Sequence, residues 1–432
     1  MATAAGAREA AQSAAGTGAL AVGRETAIAR AAVAVIGLHY ADVAFLQPEP
    51  GVSAGDHLVS GLVPIGLLAA LAVAYPHMRA GLRATLAIFV GLFALVTGMA
   101  TSVVHMIGEG PSGVDYTGVL ATAAGSVLMG AGAVTLWRSR KLDRKAWRYG
   151  RRALIGIAGS LVALQVVGGA TLGYYATHRP ESAVGEPSLG VAHEDVTLTT
   201  SDGLKLGGWY VPSRNRAAVL VFPGRSGNKQ QHARNLIGHG YGVLLIDNRG
   251  QGEAEGDPNS FGWDDEADVT AALDFLGNRA DVDASRIGGL GLSVGGETLL
   301  ETAAHTDRLR AVVSEGAGGR TWREDHETPH PIRWYGLPYF AMASATTSLF
   351  SNTLPPDSLK DLVKDIPPRP VFLIHAKGED LTPVYFRSAG SPENWALWQV
   401  PGAKHVGGLE ARPKEYERRV TAFFDRALLK ST

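Results

Sequence analysis

Cysteine is absent from all 432 residues, which excludes disulfides, thiolate catalysis and cysteine-ligated metal at once. Net charge is also nearly absent: 40 Lys and Arg face 41 Asp and Glu, and this balance argues against nucleic acid as a partner. Charge of either sign is scarce in one half of the chain. From about residue 26 to 177 the sequence is dominated by Ala, Val, Leu, Ile and Gly, whereas from about 190 onward it alternates like a water-soluble α/β protein. A chain of this length and division is expected to hold at least two domains.

Five apolar stretches occupy the first half, at 27–46, 58–75, 82–104, 116–137 and 153–175. Each is about 18–23 residues long, enough to cross roughly 30 Å of hydrocarbon as a helix. Lipid offers no partner to backbone amides, so such segments are expected to be helical. The first carries Arg30, His39 and Asp42 and is the weakest. Gly125, Gly130 and Gly132 suit close helix packing. Residues 1–25 read as a disordered tail. A cleaved signal peptide is disfavoured, because further apolar runs follow the first one.

The loops predict orientation. Arg8 and Arg24 precede the first stretch, Arg79 and Arg83 lie in the second loop, and eight basic residues from Arg138 to Arg152 fill the fourth. The first and third loops hold Glu49, Asp56, Glu109 and Asp115 with no Lys or Arg. Five spans then predict an integral plasma-membrane protein with a cytoplasmic N-terminus and everything after Tyr175 outside the cytoplasm. An even span count would reverse that last placement. His39, Asp42 and His105 are polar groups near membrane depth. They are functional candidates by default, and packed or span-end groups on the plainer reading. The basic fourth loop could meet anionic lipid, though it serves equally as a topology signal.

Residues 178–190, with two prolines and no periodicity, read as a linker. Beyond them, strands are predicted at 196–200 and 204–210, joined by a turn at Asp202-Gly203, then at 219–222, 243–246, 287–292, 311–314, 371–374 and 397–400. Helices are predicted at 229–239, 264–278, 295–304 and 413–429. Repeated β-then-α units imply a mostly parallel sheet with helices on both faces.

Gly291-Leu292-Ser293-Val294-Gly295 is a G-x-S-x-G motif between a buried strand and a helix. In a chain with 54 glycines the bare motif says little; its place in the pattern says more. A serine on that turn is lifted clear of the sheet, with a helix N-terminus behind it favouring negative charge. Gly402-Ala403-Lys404-His405 follows the last strand, where an imidazole can reach back as proton shuttle. Any one of 13 histidines alone would more simply be a surface group. Glu379 and Asp380 follow the 371–374 strand, and either carboxylate could orient the imidazole.

These motifs, with Phe222-Pro223-Gly224 and Asp247-Asn248-Arg249-Gly250-Gln251-Gly252, resemble the α/β-hydrolase family over residues 191–432. The nearest branch is that of dienelactone-hydrolase-like and prolyl-oligopeptidase-like esterases, here joined to a multi-span N-terminal region as in membrane hydrolases of high-G+C bacteria. The resemblance implies an α/β-hydrolase fold with a Ser293, acid, His405 order. Counting back from Pro383 points to Glu379, with Asp380 as the alternative. It implies an oxyanion hole from the backbone N–H groups of Val294 and Arg225, and a cap insertion at about 319–370. Pro223 stands where relatives often carry histidine. No cofactor is implied. The partners are a small ester or acyl substrate and the lipid bilayer.

Other groups are weighed and set aside. Asp247 and Arg249 read as loop braces. The glycines at 250–256 lack the Gly-Lys-Ser/Thr ending of a phosphate cradle. His326 and His330 mimic a metal pair, but Pro329 and Pro331 break the helix that would align them. Trp322, Trp334, Tyr335, Tyr339, Phe340 and Phe350 in the cap suit a hydrophobic substrate, or simply pack the cap onto the sheet. Three functional readings result: an extracytoplasmic serine esterase, a peptidase or acyltransferase on the same site, and a transporter or sensor whose hydrolase-like domain only binds.

Overall fold

The computed structural model describes residues 2–47, 58–98, 102, 106, 113–138, 146–178, 187–224, 229–250, 254–256, 262–326 and 333–429. The chain divides into two compact units, with the boundary in sequence at Pro180 and Glu181.

The N-terminal unit is helical: α1 (Ala2–Ala41), α2 (Leu58–Ala74), α3 (Ala80–Gly98), α4 (Gly113–Arg138) and α5 (Ala146–Thr177). Residues 2–25, read from the sequence as a tail, belong to α1, which begins at Ala2. The segment is alanine-rich and free of proline, so nothing in it stops a helix. Among the described residues two stretches, Val22–Leu46 and Asp115–Arg138, are long and apolar enough to cross a membrane. Gly61–His77, Ala80–Leu95 and Leu161–Tyr174 are shorter apolar helices.

Small residues set how closely these helices approach. A Cβ on Gly91 of α3 would lie 2.5 Å from the Gly125 carbonyl oxygen of α4, and one on Gly125 would lie 2.6 Å from that of Gly91. Gly132 meets the Ala84 carbonyl in the same way, at 2.9 Å. Gly130 faces open space and takes no part, because it lies on a different side of α4. His39 and Asp42 are buried in the bundle: the Thr117 hydroxyl donates to Asp42 Oδ2 at 2.7 Å and lies 3.1 Å from His39 Nδ1. His105 lies outside the described residues.

The C-terminal unit carries eight strands: β1 (Glu194–Thr199), β2 (Lys205–Val211), β3 (Ala218–Phe222), β4 (Gly242–Ile246), β5 (Ile287–Leu292), β6 (Ala311–Glu315), β7 (Val371–His375) and β8 (Ala396–Gln399). They lie in the order β1-β2-β4-β3-β5-β6-β7-β8. The β1–β2 and β2–β4 pairs are antiparallel and the others parallel. Strands β3 to β7 are buried along their whole length, which explains their unbroken apolar runs. Alternate side chains feed two cores. Leu220 and Phe222 join one with Val269, Leu273 and Leu299, while Val219 and Val221 join the other with Leu236, Tyr416 and Phe424.

The helices that matter to the site are α6 (Lys229–Gly238), α7 (Glu266–Gly277), α8 (Val294–His305), α9 (Trp322–His326), α10 (Arg333–Ser351), α11 (Leu359–Leu362), α12 (Leu381–Ser388), α13 (Gly408–Ala411) and α14 (Pro413–Phe424). The described residues of the 319–370 insertion include α9, α10, α11 and a short 3₁₀ turn at Val363–Asp365. Its aromatics divide: Phe350 is buried, Trp322 is exposed, and Tyr339 and Phe340 stack edge to face with centroids 5.2 Å apart.

Arg249 braces the loop after β4. Its guanidinium holds buried Asp268 of α7 at 2.6 Å and Asp202 of the β1–β2 turn at 2.7 Å. Burial works against the Arg249 charge, but Asp268, Asp265 and Asp202 outweigh it and keep the group protonated. Removing the cation leaves Asp268 buried and uncompensated. Arg249→Ala is therefore expected to cost about 3–5 kcal/mol, read as a fall in the thermal midpoint of the C-terminal unit.

Candidate active site

Strand β5 ends at Leu292 and helix α8 begins at Val294, so Ser293 alone makes the turn. Its φ of 52° and ψ of −122° put a non-glycine residue in a region that L-residues avoid. Neighbouring backbone leaves no other geometry. The Ser293 N–H donates to the Glu315 carbonyl at 2.7 Å, and its carbonyl accepts from the Gly296 and Glu297 N–H groups at 2.8 and 3.1 Å. A Cβ on Gly295 would lie 2.5 Å from the carbonyl oxygens of Phe222 and Pro223, so glycine is required there by close approach.

Two distant segments meet this serine. His405, on the loop between β8 and α13, has its Nε2 2.9 Å from Ser293 Oγ. Its Nδ1 lies 2.6 Å from Glu379 Oε1. The other Glu379 oxygen accepts the Ala376 N–H at 2.6 Å. Because a carboxylate can only accept, Nδ1 carries the proton and Nε2 presents a lone pair to the serine hydroxyl. Asp380 is exposed and stands at the N-terminus of α12, so of the two candidate acids it is Glu379 that faces the imidazole.

Each group favours the charged form of the other. The hydrogen bond that His405 donates to Glu379 raises His405 above the usual imidazole range, more than burial lowers it, and the charges of Glu379, Glu297 and Glu315 add to the rise. Burial pushes the Glu379 carboxyl up, but the hydrogen bonds from His405 and Ala376 and the charge of His405 bring it below its ordinary value.

Val294 opens α8, so its N–H is among those that a helix start leaves without an intrahelical partner. Arg225, the other expected oxyanion donor, lies outside the described residues. The adjoining Gly224 carbonyl accepts from the Asn248 side chain at 3.3 Å. His326 ends α9 and His330 lies outside the described residues; among those described, no cluster of three or more His, Asp or Glu is arranged to hold a metal.

Sequence reasoning missed two buried carboxylates. Glu297, four residues after Ser293, accepts the Gly318 N–H at 2.8 Å, and burial pushes it up to about 7. Glu315, at the end of β6, accepts from Gly408 and Tyr416. A charge closing the apolar run 311–315 was the available signal, since it marks a carboxylate at a buried position.

A mostly parallel eight-stranded sheet, with a serine on a strained strand-to-helix turn and a histidine and carboxylate on later strand-end loops, makes this an α/β-hydrolase-like domain. The profile of the X-Pro dipeptidyl-peptidase (S15) family matches residues 210–366. The chain is 41% identical over 110 residues to the uncharacterized protein Rv2307c of Mycobacterium tuberculosis, covering 24% of this chain and 38% of that protein's length. It is 25% identical over 252 residues to the uncharacterized protein YfhR of Escherichia coli, covering 54% of this chain and 81% of the relative. Among solved structures, the Pyrococcus furiosus esterase Pf2001 superimposes with a TM-score of 0.47 at 22% identity, over 58% of this chain and 97% of that one.

Since His405 can accept a proton only when neutral, Ser293 reactivity toward an electrophile should fall as pH drops through a value above about 6.5. Glu379→Gln removes the largest raising contribution, so the same acid limb should move to lower pH. Initial rates of serine modification against pH measure both.

Proposed function

We propose that this chain is a membrane-anchored serine hydrolase whose C-terminal domain cleaves carboxylic esters through an acyl-enzyme. The observation that carries the reading is the continuous row Ser293 Oγ, His405 Nε2, His405 Nδ1 and Glu379 Oε1, with links of 2.9 and 2.6 Å. Ser293 attacks the carbonyl while His405 takes its proton. Glu379 holds the tautomer and stabilises the imidazolium. The N–H groups of Val294 and Arg225 meet the oxyanion. His405 then protonates the departing alkoxide, and water repeats the cycle on the acyl-enzyme with no cofactor.

A peptidase reading draws on the S15 match, which spans Ser293 but stops at 366, before Glu379 and His405. The ester reading is preferred on the surroundings of the row. Besides Glu379, the carboxylates acting on His405 among the described residues are Glu297 and Glu315. Both are buried and bonded to backbone N–H groups, so neither is presented to anchor a peptide ammonium. A fluorophosphonate probe should label the full chain, and Ser293→Ala should abolish labelling and lower ester kcat by about 10³-fold or more. Equal labelling of that variant would sink the proposal.

The anchoring half of the proposal is supported by two helical stretches of spanning length and by three shorter apolar ones, with basic and acidic loops alternating between them. Read as five spans, they put the hydrolase domain outside the cytoplasm. Protease added to intact, wall-stripped cells should then digest the C-terminal domain, whereas protection until the membrane is permeabilised would reverse the orientation.

A further inference from the structure

The mechanism above leaves Glu315 without a task, although each of its three oxygens holds a different part of the site. Its carbonyl accepts the Ser293 N–H at 2.7 Å. Oε1 accepts the Gly408 N–H at 2.7 Å, and Oε2 accepts the Tyr416 hydroxyl at 2.6 Å. The side chain is buried, at 2% exposure. Gly408 lies three residues beyond His405, and Tyr416 lies on α14. The residue after Glu315 continues the arrangement: a Cβ on Gly316 would lie 3.1 Å from His405 Cε1 and 3.5 Å from Glu379 Oε1. The peptide that Glu315 begins is therefore the floor beneath the imidazole and its carboxylate.

The loop held in this way is poorly able to hold itself. Val406, next to His405, is a β-branched residue at φ 50°, a strained conformation that surrounding structure must impose. The His405 side chain is 53% exposed, so packing does little to place it. Within the loop, the Gly407 N–H donates to the Lys404 carbonyl at 3.0 Å, which closes a turn, and Ala403 and Val406 rest against the core by apolar contact. A hydrogen-bonded tie to the sheet comes one residue after Gly407. A Cβ on Gly408 would lie 2.8 Å from Glu315 Oε1, so the loop approaches that carboxylate as closely as only glycine allows.

We infer that Glu315 is a positioning residue: its carboxylate fixes the histidine loop against the strand whose backbone holds the nucleophile, so that His405 meets Ser293 and Glu379 together. The inference rests on the serine-hydrolase reading. Its electrostatics agree with its geometry, since the Glu315 charge contributes to holding His405 above its ordinary range.

Three substitutions separate positioning from mere stability. Glu315→Gln keeps an acceptor for Gly408 and loses the charge. Glu315→Met matches the length and offers neither oxygen, which strands the Gly408 N–H and the Tyr416 hydroxyl in the interior. Tyr416→Phe removes the second of these orphans. Full-length protein in detergent is assayed for kcat, KM and their pH dependence on a p-nitrophenyl ester, with Ser293→Ala as blank and thermal midpoints alongside. Glu315→Met should lose about 10²-fold in kcat with little change in KM, the effect of an ångström-scale displacement of a general base. The Glu315→Met, Tyr416→Phe double variant should regain thermal midpoint without regaining kcat. Glu315→Gln should restore most of kcat with its acid limb moved to lower pH. A folded Glu315→Met protein with wild-type kcat overturns the inference, as does recovery of kcat in step with midpoint in the double variant. If the Met variant does not fold, Glu315→Asp decides, since it keeps the charge but shortens the reach to Gly408: a fall in kcat at unchanged KM supports the inference and wild-type kcat overturns it. Activity surviving in Ser293→Ala would instead overturn the reading beneath it.

Discussion

The C-terminal unit depends on one backbone constraint, the passage of the chain from β5 to α8 through a single residue. Ser293 occupies a conformation that costs an L-residue about 1–2 kcal/mol, and it persists because both of its peptide groups are committed. The N–H pairs with the last carbonyl of β6, and the carbonyl opens the hydrogen bonding of α8. Strain of this size is small beside the burial of five strands on both faces, so the sheet can impose it. What it gives in return is position, because the hydroxyl stands above the sheet edge at a helix N-terminus.

Around that fixed point the later strand ends bring in the other groups. β7 delivers Glu379, and the loop after β8 delivers His405. Neighbouring parallel strands finish at the same rim, so loops separated by 112 residues in sequence come within a hydrogen bond. The electrostatics follow from the same convergence. Buried carboxylates cannot shed their field into water, and three of them raise the half-exposed imidazole together. The buried Arg249–Asp268 pair does for the neighbouring loop what backbone pairing does for the nucleophile turn.

In the N-terminal unit, lipid-like composition and loop charge are legible in the sequence, but helix contacts are not. Gly125, Gly130 and Gly132 look equivalent on paper. The first and last admit the backbone of α3 and the middle one faces open space, a difference of angle around α4 that composition does not encode. Residues 1–25 show the opposite limitation. Their small polar composition reads as a tail, while helix propensity carries α1 back to Ala2.

Periodicity and punctuation by themselves determined the order of the eight strands and of α6, α7, α8 and α14, the buried character of β3, β4 and β5, and the strand–turn–helix setting of Ser293. These are local properties, written in side-chain spacing and in glycine at the turns. The count back from Pro383 favours Glu379 over Asp380, and the tertiary structure sets Glu379 against His405, because Glu379 lies just before α12 and Asp380 at its exposed start. Tertiary structure alone decided that Glu315 joins the nucleophile turn to the histidine loop, since Gly408 and Tyr416 lie 93 and 101 residues away and no local pattern records a contact made across that distance.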